Sequence, residues 1–108
     1  MTETVLEMPA RDEIELVEVL EAVADPVRLE ILGAIADEER ACGSFPLSVN
    51  DSTRSHHLKV LREAGITKTR VVGTQRLVSL RRDDLDARFP GLLDAVLAAA
   101  PRVVSVAT

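Results

Sequence analysis

The feature that most restricts the fold is a change of pattern at Gly65. Before it, TRSHHLKVLREA puts Leu58, Leu61 and Ala64 on one side of a helical wheel with His57 at their edge. Ser52, Ser55, His56, Lys59 and Arg62 fall on the opposite, polar side. Gly65 is a favoured residue just past a helix end. After it, residues 66–80 are rich in Val, Thr and Leu and are interrupted by Val72-Gly73-Thr74-Gln75, where glycine at the first central position suits a two-residue type II′ turn. A polar-faced helix must therefore run directly into a β-hairpin. The alternation of side chains within the hairpin is untidy and fixes no strand register.

Upstream, Ile14, Leu16, Val17, Val19, Leu20 and Val23 recur at helical spacing among glutamates, which predicts an amphipathic helix over about 11–24. Asp25-Pro26 then reads as a helix start, because Asp caps free N–H groups and Pro at the first helical position loses no hydrogen bond. The helix it opens, about 26–36, is apolar almost all round (Val27, Leu29, Ile31, Leu32, Ile35) and should be the buried centre. Between 37 and 51 the pattern is weak, and Pro46 limits any helix to a turn or two. Asn50, Asp51 and Ser52 are alternative caps for the polar-faced helix. Asp83 and Asp84 begin another helical piece that Phe89-Pro90-Gly91 should break, after which Leu92, Leu93, Val96, Leu97 and Ala100 form one apolar stripe. The expected fold is mainly α with a β-hairpin wing, in the element order of a winged helix-turn-helix. We divide it into a loose segment 1–10, one domain over 11–100 whose terminal helices dimerise, and a tail 101–108.

Charge points to the partner. Residues 52–82 carry eight basic side chains (Arg54, Lys59, Arg62, Lys68, Arg70, Arg76, Arg81, Arg82) against one acid, Glu63, a balance of +7 in a chain of net charge −5. A basic face supplies the phosphate attraction and counterion release that drive DNA association, whatever the total charge. With neither Trp nor Tyr, the chain lacks the usual platforms for single-stranded bases, which favours duplex DNA. No apolar run approaches a membrane span and the first residues lack signal-peptide character, so a cytoplasmic protein is expected. At 108 residues a single domain buries only about two-thirds of its unfolded surface, so a second subunit would add core.

The segments ADPVRLEILGAIAD, STRSHHLKVLREAGI and VVGTQRLVSLRRDDL resemble the arsenic-repressor (ArsR/SmtB) family of bacterial transcription regulators, over roughly residues 14–98. The resemblance implies a homodimer built from the first and last helices, a recognition helix in the major groove, a wing near the adjacent minor groove, and repression of an operator relieved by an effector. The residues by themselves support the same assignment. Ser52, Thr53, Ser55 and His56, with Arg54 among them, are expected at base edges or nearby phosphates, and Lys59 and Arg62 at phosphates. In the wing, Arg70 and Arg76 flank the Gly73-Thr74 turn, and arginine suits a narrow, electronegative minor groove. A protein-interaction module of the same fold is the alternative, and would need exposed apolar or aromatic anchors in place of the polar stripe. Nothing resembles an enzyme's phosphate loop or nucleophile arrangement.

His56 and His57 are adjacent on a helix, point about 100° apart and cannot chelate one ion. We read His57 as a hydrogen-bonding residue at the edge of the core. Cys42 is the lone cysteine. Metal sensors of the family place Cys-x-Cys near this point, but here the companion is Ser44, and residues 83–100 hold no His, only Asp83, Asp84, Asp86 and Asp94 as ligands. A closed soft-metal site needs three or four ligands. Cys42 is therefore expected to be a buried structural residue, with a redox thiol or an effector ligand as the alternatives. No cofactor is expected, and the effector is unassigned.

Overall fold

The computed structural model describes residues 3–44 and 50–100. The elements are β1 (Glu3–Val5), a 3-10 turn (Arg11–Glu13), α1 (Leu16–Val23), α2 (Pro26–Ala34), β2 (Arg40–Ala41), a second 3-10 turn (Cys42–Ser44), α3 (Asp51–Glu63), β3 (Thr67–Val72), β4 (Gln75–Leu80), α4 (Arg82–Arg88) and α5 (Leu92–Ala99). The stretch around Pro46 and the tail 101–108 lie outside the described residues.

Helix α2 is the centre, as its all-round apolar sequence requires. Ile31 and Leu32 are fully buried and Ile35 nearly so, packed with Leu58, Leu61, Ile66, Val78, Leu85 and Leu93 from the other elements. Its start is the expected cap, with Asp25 Oδ1 accepting from the N–H groups of Val27 (2.8 Å) and Arg28 (3.1 Å) and Pro26 at the first helical position. For α3 the cap resolves to Asn50, whose Oδ1 accepts from Thr53 N–H at 2.8 Å.

At the other end of α3 the chain reverses in a Schellman motif. Gly65 N–H donates to Arg62 O (3.1 Å), Ile66 N–H donates to Leu61 O (3.0 Å), and Gly65 takes φ +89°. Leu61 and Ile66, the apolar pair that accompanies this motif, are both fully buried. The hairpin follows at once. Val72 pairs with Gln75 across the loop Gly73-Thr74. Gly73 has φ +61° and Thr74 does not share a positive φ, which fits the expected type II′ turn and not type I′. The register settles the untidy alternation: Thr67, Thr69 and Val78 face inward, and the two threonines interrupt the apolar signal.

Two expectations need correction. The loose segment 1–10 contains β1, which pairs antiparallel with β3 (Glu3 opposite Val72, Val5 opposite Arg70), so among the described residues the sheet has four strands in the order β1-β3-β4-β2. All three β1 residues are exposed, so no alternating pattern marked it. The first helix also does not start at 11. After the 3-10 turn, Ile14 is extended (φ −72°, ψ 125°) and only 1% exposed, and α1 begins only at Leu16. The carbonyls of Asp12 and Ile14 accept from Arg88 Nη1 (3.0 Å) and Nη2 (2.7 Å), and Arg81 Nη1 donates to Pro9 O at 2.6 Å. Backbone groups that a longer helix would have used are thus held by side chains of the α4 region.

Ile14 and Gly65 are neighbours, and their packing is testable. A Cβ built on Gly65 would lie 2.6 Å from Ile14 Cγ1, at a φ that L side chains rarely adopt. Gly65→Ala should therefore cost roughly 1–3 kcal/mol, seen as a lower urea midpoint at an unchanged slope. An unshifted midpoint would contradict this packing.

Acid should loosen the structure. Asp84 lies below its ordinary value through the hydrogen bond from Arg11, against the effect of burial, and Glu39 does so through Arg70. At Asp25, burial raises the carboxyl, but the N–H and charge of Arg28 and the N–H of Val27 outweigh it. Carboxyls depressed in the folded state bind protons more readily unfolded, so their stabilisation is complete above the unfolded values and is lost as pH falls through the folded ones. The melting temperature should hold from neutrality to about pH 5 and fall below about pH 4. An unchanged value at pH 3 would show that these pairs contribute nothing.

Candidate nucleic-acid interface

Once α3 is capped at Asn50 and packed through His57, Leu58, Leu61 and Ala64, the side chains it presents to solvent are fixed. Ser52, Ser55, His56 and Lys59 are exposed along one stripe, with Thr53, Arg54 and Arg62 half-buried at its margins. Glu63 is also exposed near the C-terminal end of that stripe. Arg54 is tied back to Asp51 by an i,i+3 ion pair of 2.6 Å and its side chain is only 17% exposed. It braces the first turn more than it extends from it.

His57 is buried, and its Nδ1 lies 3.1 Å from Arg28 Nη1. The His56 and His57 rings are tilted by 57° with centroids 5.6 Å apart. Among the described residues, no group of three or more His, Cys, Asp and Glu is arranged to hold a metal ion.

The wing presents Gly73, Thr74, Gln75 and Arg76 as an exposed tip. Arg70 is different. Its Nε and Nη2 donate to the two carboxylate oxygens of Glu39 (2.8 and 2.7 Å), and its Nη1 donates to Glu3 Oε1 (3.2 Å). These hydrogen bonds, Glu39 first and then Glu3, hold the guanidinium even more firmly protonated than usual. A phosphate would have to displace two carboxylates to use it. The partners come from β1 and from the residue before β2, segments whose approach to the hairpin no local pattern announces.

The eight cations of residues 52–82 therefore divide. Arg81 has a side chain only 5% exposed, bonded to Asp84 (2.9 Å) and Pro9 O, and Arg82 holds Asp94 (2.9 Å) and Asp86 (3.8 Å). With Arg54 and Arg70, these four are engaged. Lys59, Arg62, Lys68 and Arg76 have no carboxylate within 4.0 Å among the described residues. They are two on α3, one on β3 and one at the wing tip.

Cys42 is half-buried and packs against the core. Burial pushes its thiol up, although the charges of Arg76, Arg54 and Arg62 pull the other way. A thiol raised in this manner is a poor nucleophile at neutral pH. Ser44, at the companion position, donates its hydroxyl to Ala41 O at 2.7 Å. The aspartates of the C-terminal helices are largely committed to arginines, Asp84 to Arg11 (2.7 Å) and Arg81, Asp94 to Arg82.

Comparison with known proteins agrees with this geometry. Residues 25–69 match a family model described as bacterial regulatory protein, arsR family. An uncharacterised HTH-type transcriptional regulator of Bacillus subtilis, YceK, is 35% identical over 83 residues, which cover 73% of this chain and 83% of that protein. Among solved structures, the transcriptional repressor BigR from Xylella fastidiosa superposes with a TM-score of 0.62 at 27% identity, covering 77% of this chain and 83% of its own. The homodimeric winged helix-turn-helix domain Mb0332 from Mycobacterium bovis, a possible ArsR-family regulator, also gives 0.62, at 29% identity and 77% and 78% coverage.

The division of cations predicts distinct salt dependences on random duplex DNA. Lys59→Ala or Arg76→Ala should reduce the slope of log K against log salt by about one unit for each phosphate left without its cation. Arg70→Ala should change it by no more than a few tenths, because its charge is already matched. Equal slopes for all three variants would show that Glu39 and Glu3 release Arg70 when DNA binds.

Proposed function

Because the chain belongs to the ArsR family of bacterial regulatory proteins, we propose that this DNA-binding transcriptional regulator acts as a homodimeric repressor released from an inverted-repeat operator by an effector. The observation that carries the reading is the exposed stripe Ser52, Ser55, His56 and Lys59 on a capped helix whose C-terminus feeds a wing tipped by Gly73, Thr74 and Arg76. Short hydroxyl, imidazole and ammonium side chains reach base edges and phosphates in a major groove that admits one helix. Lys59, Arg62 and Arg76 supply phosphate contacts, with Thr53 and Arg54 at the margin of the reading face. Arg70 braces the wing instead.

The dimer reading rests on α1 and α5. Leu16, Val17 and Leu20 are 44%, 64% and 45% exposed on α1, an apolar surface that no described element covers. On α5, Leu92, Val96 and Leu97 are half-buried. A second subunit applied through these helices would cover both, and the homodimeric state of the Mb0332 domain is in keeping with it. A two-fold axis then demands two half-sites about one helical turn, or ~34 Å, apart. No helix among the described residues is long and apolar enough to cross a membrane, and the cytoplasm is where such a regulator meets its operator.

The stripe carries no aromatic or large apolar anchor, which weighs against a protein-docking module. His56→Ala or Ser55→Ala should lower affinity for the operator more than for random DNA, by roughly 1–3 kcal/mol per base contact. Sedimentation should show a dimer at micromolar concentration and footprinting two symmetric half-sites. A monomer protecting one half-site, or equal losses on both DNAs for His56→Ala, would sink the assignment.

A further inference from the structure

Arg28 touches three helices at once. Its Nε donates to the carbonyl of Ala22 in the last turn of α1 (2.5 Å), and its Nη1 donates to His57 Nδ1 on α3 (3.1 Å). Its own backbone N–H is held by Asp25 at the start of α2 (3.1 Å). A guanidinium has no acceptor, so Nδ1 receives this bond through its lone pair and the proton of a neutral ring sits on Nε2. His57 is 9% exposed and lies one residue, about 100° around the helix, from His56 on the reading stripe.

We propose that Arg28 and His57 are positioning residues for DNA readout: they fix the rotation of α3 about its axis, and with it the aim of Ser52, Ser55 and His56. The inference rests on the DNA-reading assignment above. Leu58, Leu61 and Ala64 hold α3 against the core, but apolar contact is non-directional and tolerates repacking. A hydrogen bond is directional, and one planar guanidinium making two of them sets the distance and angle between its acceptors. The magnitude matters. At about 5–6 Å from a helix axis, a rotation of about 20° moves a side chain by about 2 Å, enough to break a base contact. Because one of the two acceptors belongs to α1, the helix that carries the uncovered apolar face, the same side chain links the proposed dimer contacts to the reading helix.

The test starts by letting the wild-type protein enrich a duplex from a randomised pool. Affinities for that duplex and for a scrambled one are then measured below the onset of unfolding, with a melting temperature for each variant. Arg28→Met and His57→Leu keep volume and remove donors or acceptor. Each should lower the ratio of selected to scrambled affinity about tenfold or more, and the double variant no further than the worse single. His57→Asn, whose Oδ1 stands in for Nδ1, should recover most of the ratio. Arg28→Lys keeps the charge but replaces the rigid fork with one flexible ammonium that does not fix the spacing of the two acceptors, and should lose selectivity even if the Met variant unfolds. Parallel losses on both duplexes, leaving the ratio unchanged, would reduce the pair to structural support and overturn the proposal. A wild type that enriches no sequence would overturn the DNA-reading assignment and this inference with it, a result distinct from an unchanged ratio.

Discussion

Gly65 is the constraint on which the functional face depends. Its left-handed φ lets α3 end and β3 begin with Ile66 already in the core, leaving no linker in which the wing can swing relative to the recognition helix. The angle between helix and hairpin is set by two Schellman hydrogen bonds and by Leu61 and Ile66 packing together. Ile14 closes the joint from the N-terminal side, in the space a Cβ would occupy. The polar face of α3 and the Arg76 tip thus form one rigid unit, and the carbonyl bonds from Arg81 and Arg88 keep an N-terminal strap, residues 9–14, seated against it.

Formal charge and usable charge differ on this surface. The same stretch that carries +7 by sequence devotes Arg54, Arg70, Arg81 and Arg82 to carboxylates, three of which are supplied by distant segments at Glu39, Glu3 and Asp94. On the proposed reading, what remains for phosphates is Lys59, Arg62, Lys68 and Arg76, placed on α3 and along the hairpin. Engagement of the others is not wasted: Arg70 ties β1, β3 and the entry to β2 across one sheet face, and Arg81 anchors the strap. Exposed ion pairs of this kind contribute little stability one at a time. On the same reading, their effect is to decide which cations DNA meets.

Most of the architecture was legible because its signals are local. The Asp25-Pro26 cap, the amphipathic wheel of α3, the Gly65 stop and the Gly73 turn each act over a few residues, and each appears where the pattern put it. The failures are non-local. Strand β1 has no apolar face of its own and exists only by pairing with β3. The early start expected for α1 followed from Ile14 fitting the helical period, whereas Ile14 satisfies a site under Gly65 instead. Arg70 flanks the turn, which points it toward DNA, and nothing near it in sequence reveals its partner Glu39, 31 residues away; its place on DNA is for the salt dependence to decide. Arg28 was missed for the same reason: its two acceptors lie in other helices, and a lone arginine on an otherwise largely apolar helix carries no signal of either.

The Arg28 link bears on how release from DNA would work. The described residues offer no metal cluster, Cys42 is a raised, core-packed thiol, and Asp84 and Asp94 are bound to arginines, so no ligand shell lies beside α3 among the described residues. An effector need not act there. Release requires only that a ligand favour the arrangement in which α3 is misaligned, with a coupling of roughly 1–3 kcal/mol typical of such switches. A small shift of α1 carries the Ala22 carbonyl with it, and the guanidinium that bonds both this carbonyl and His57 must then stretch, turn or let go. On the proposed dimer, where α1 lies at the subunit contact, half-site spacing and helix rotation change together. A ligand at that interface would therefore loosen two determinants of operator fit by moving a single helix.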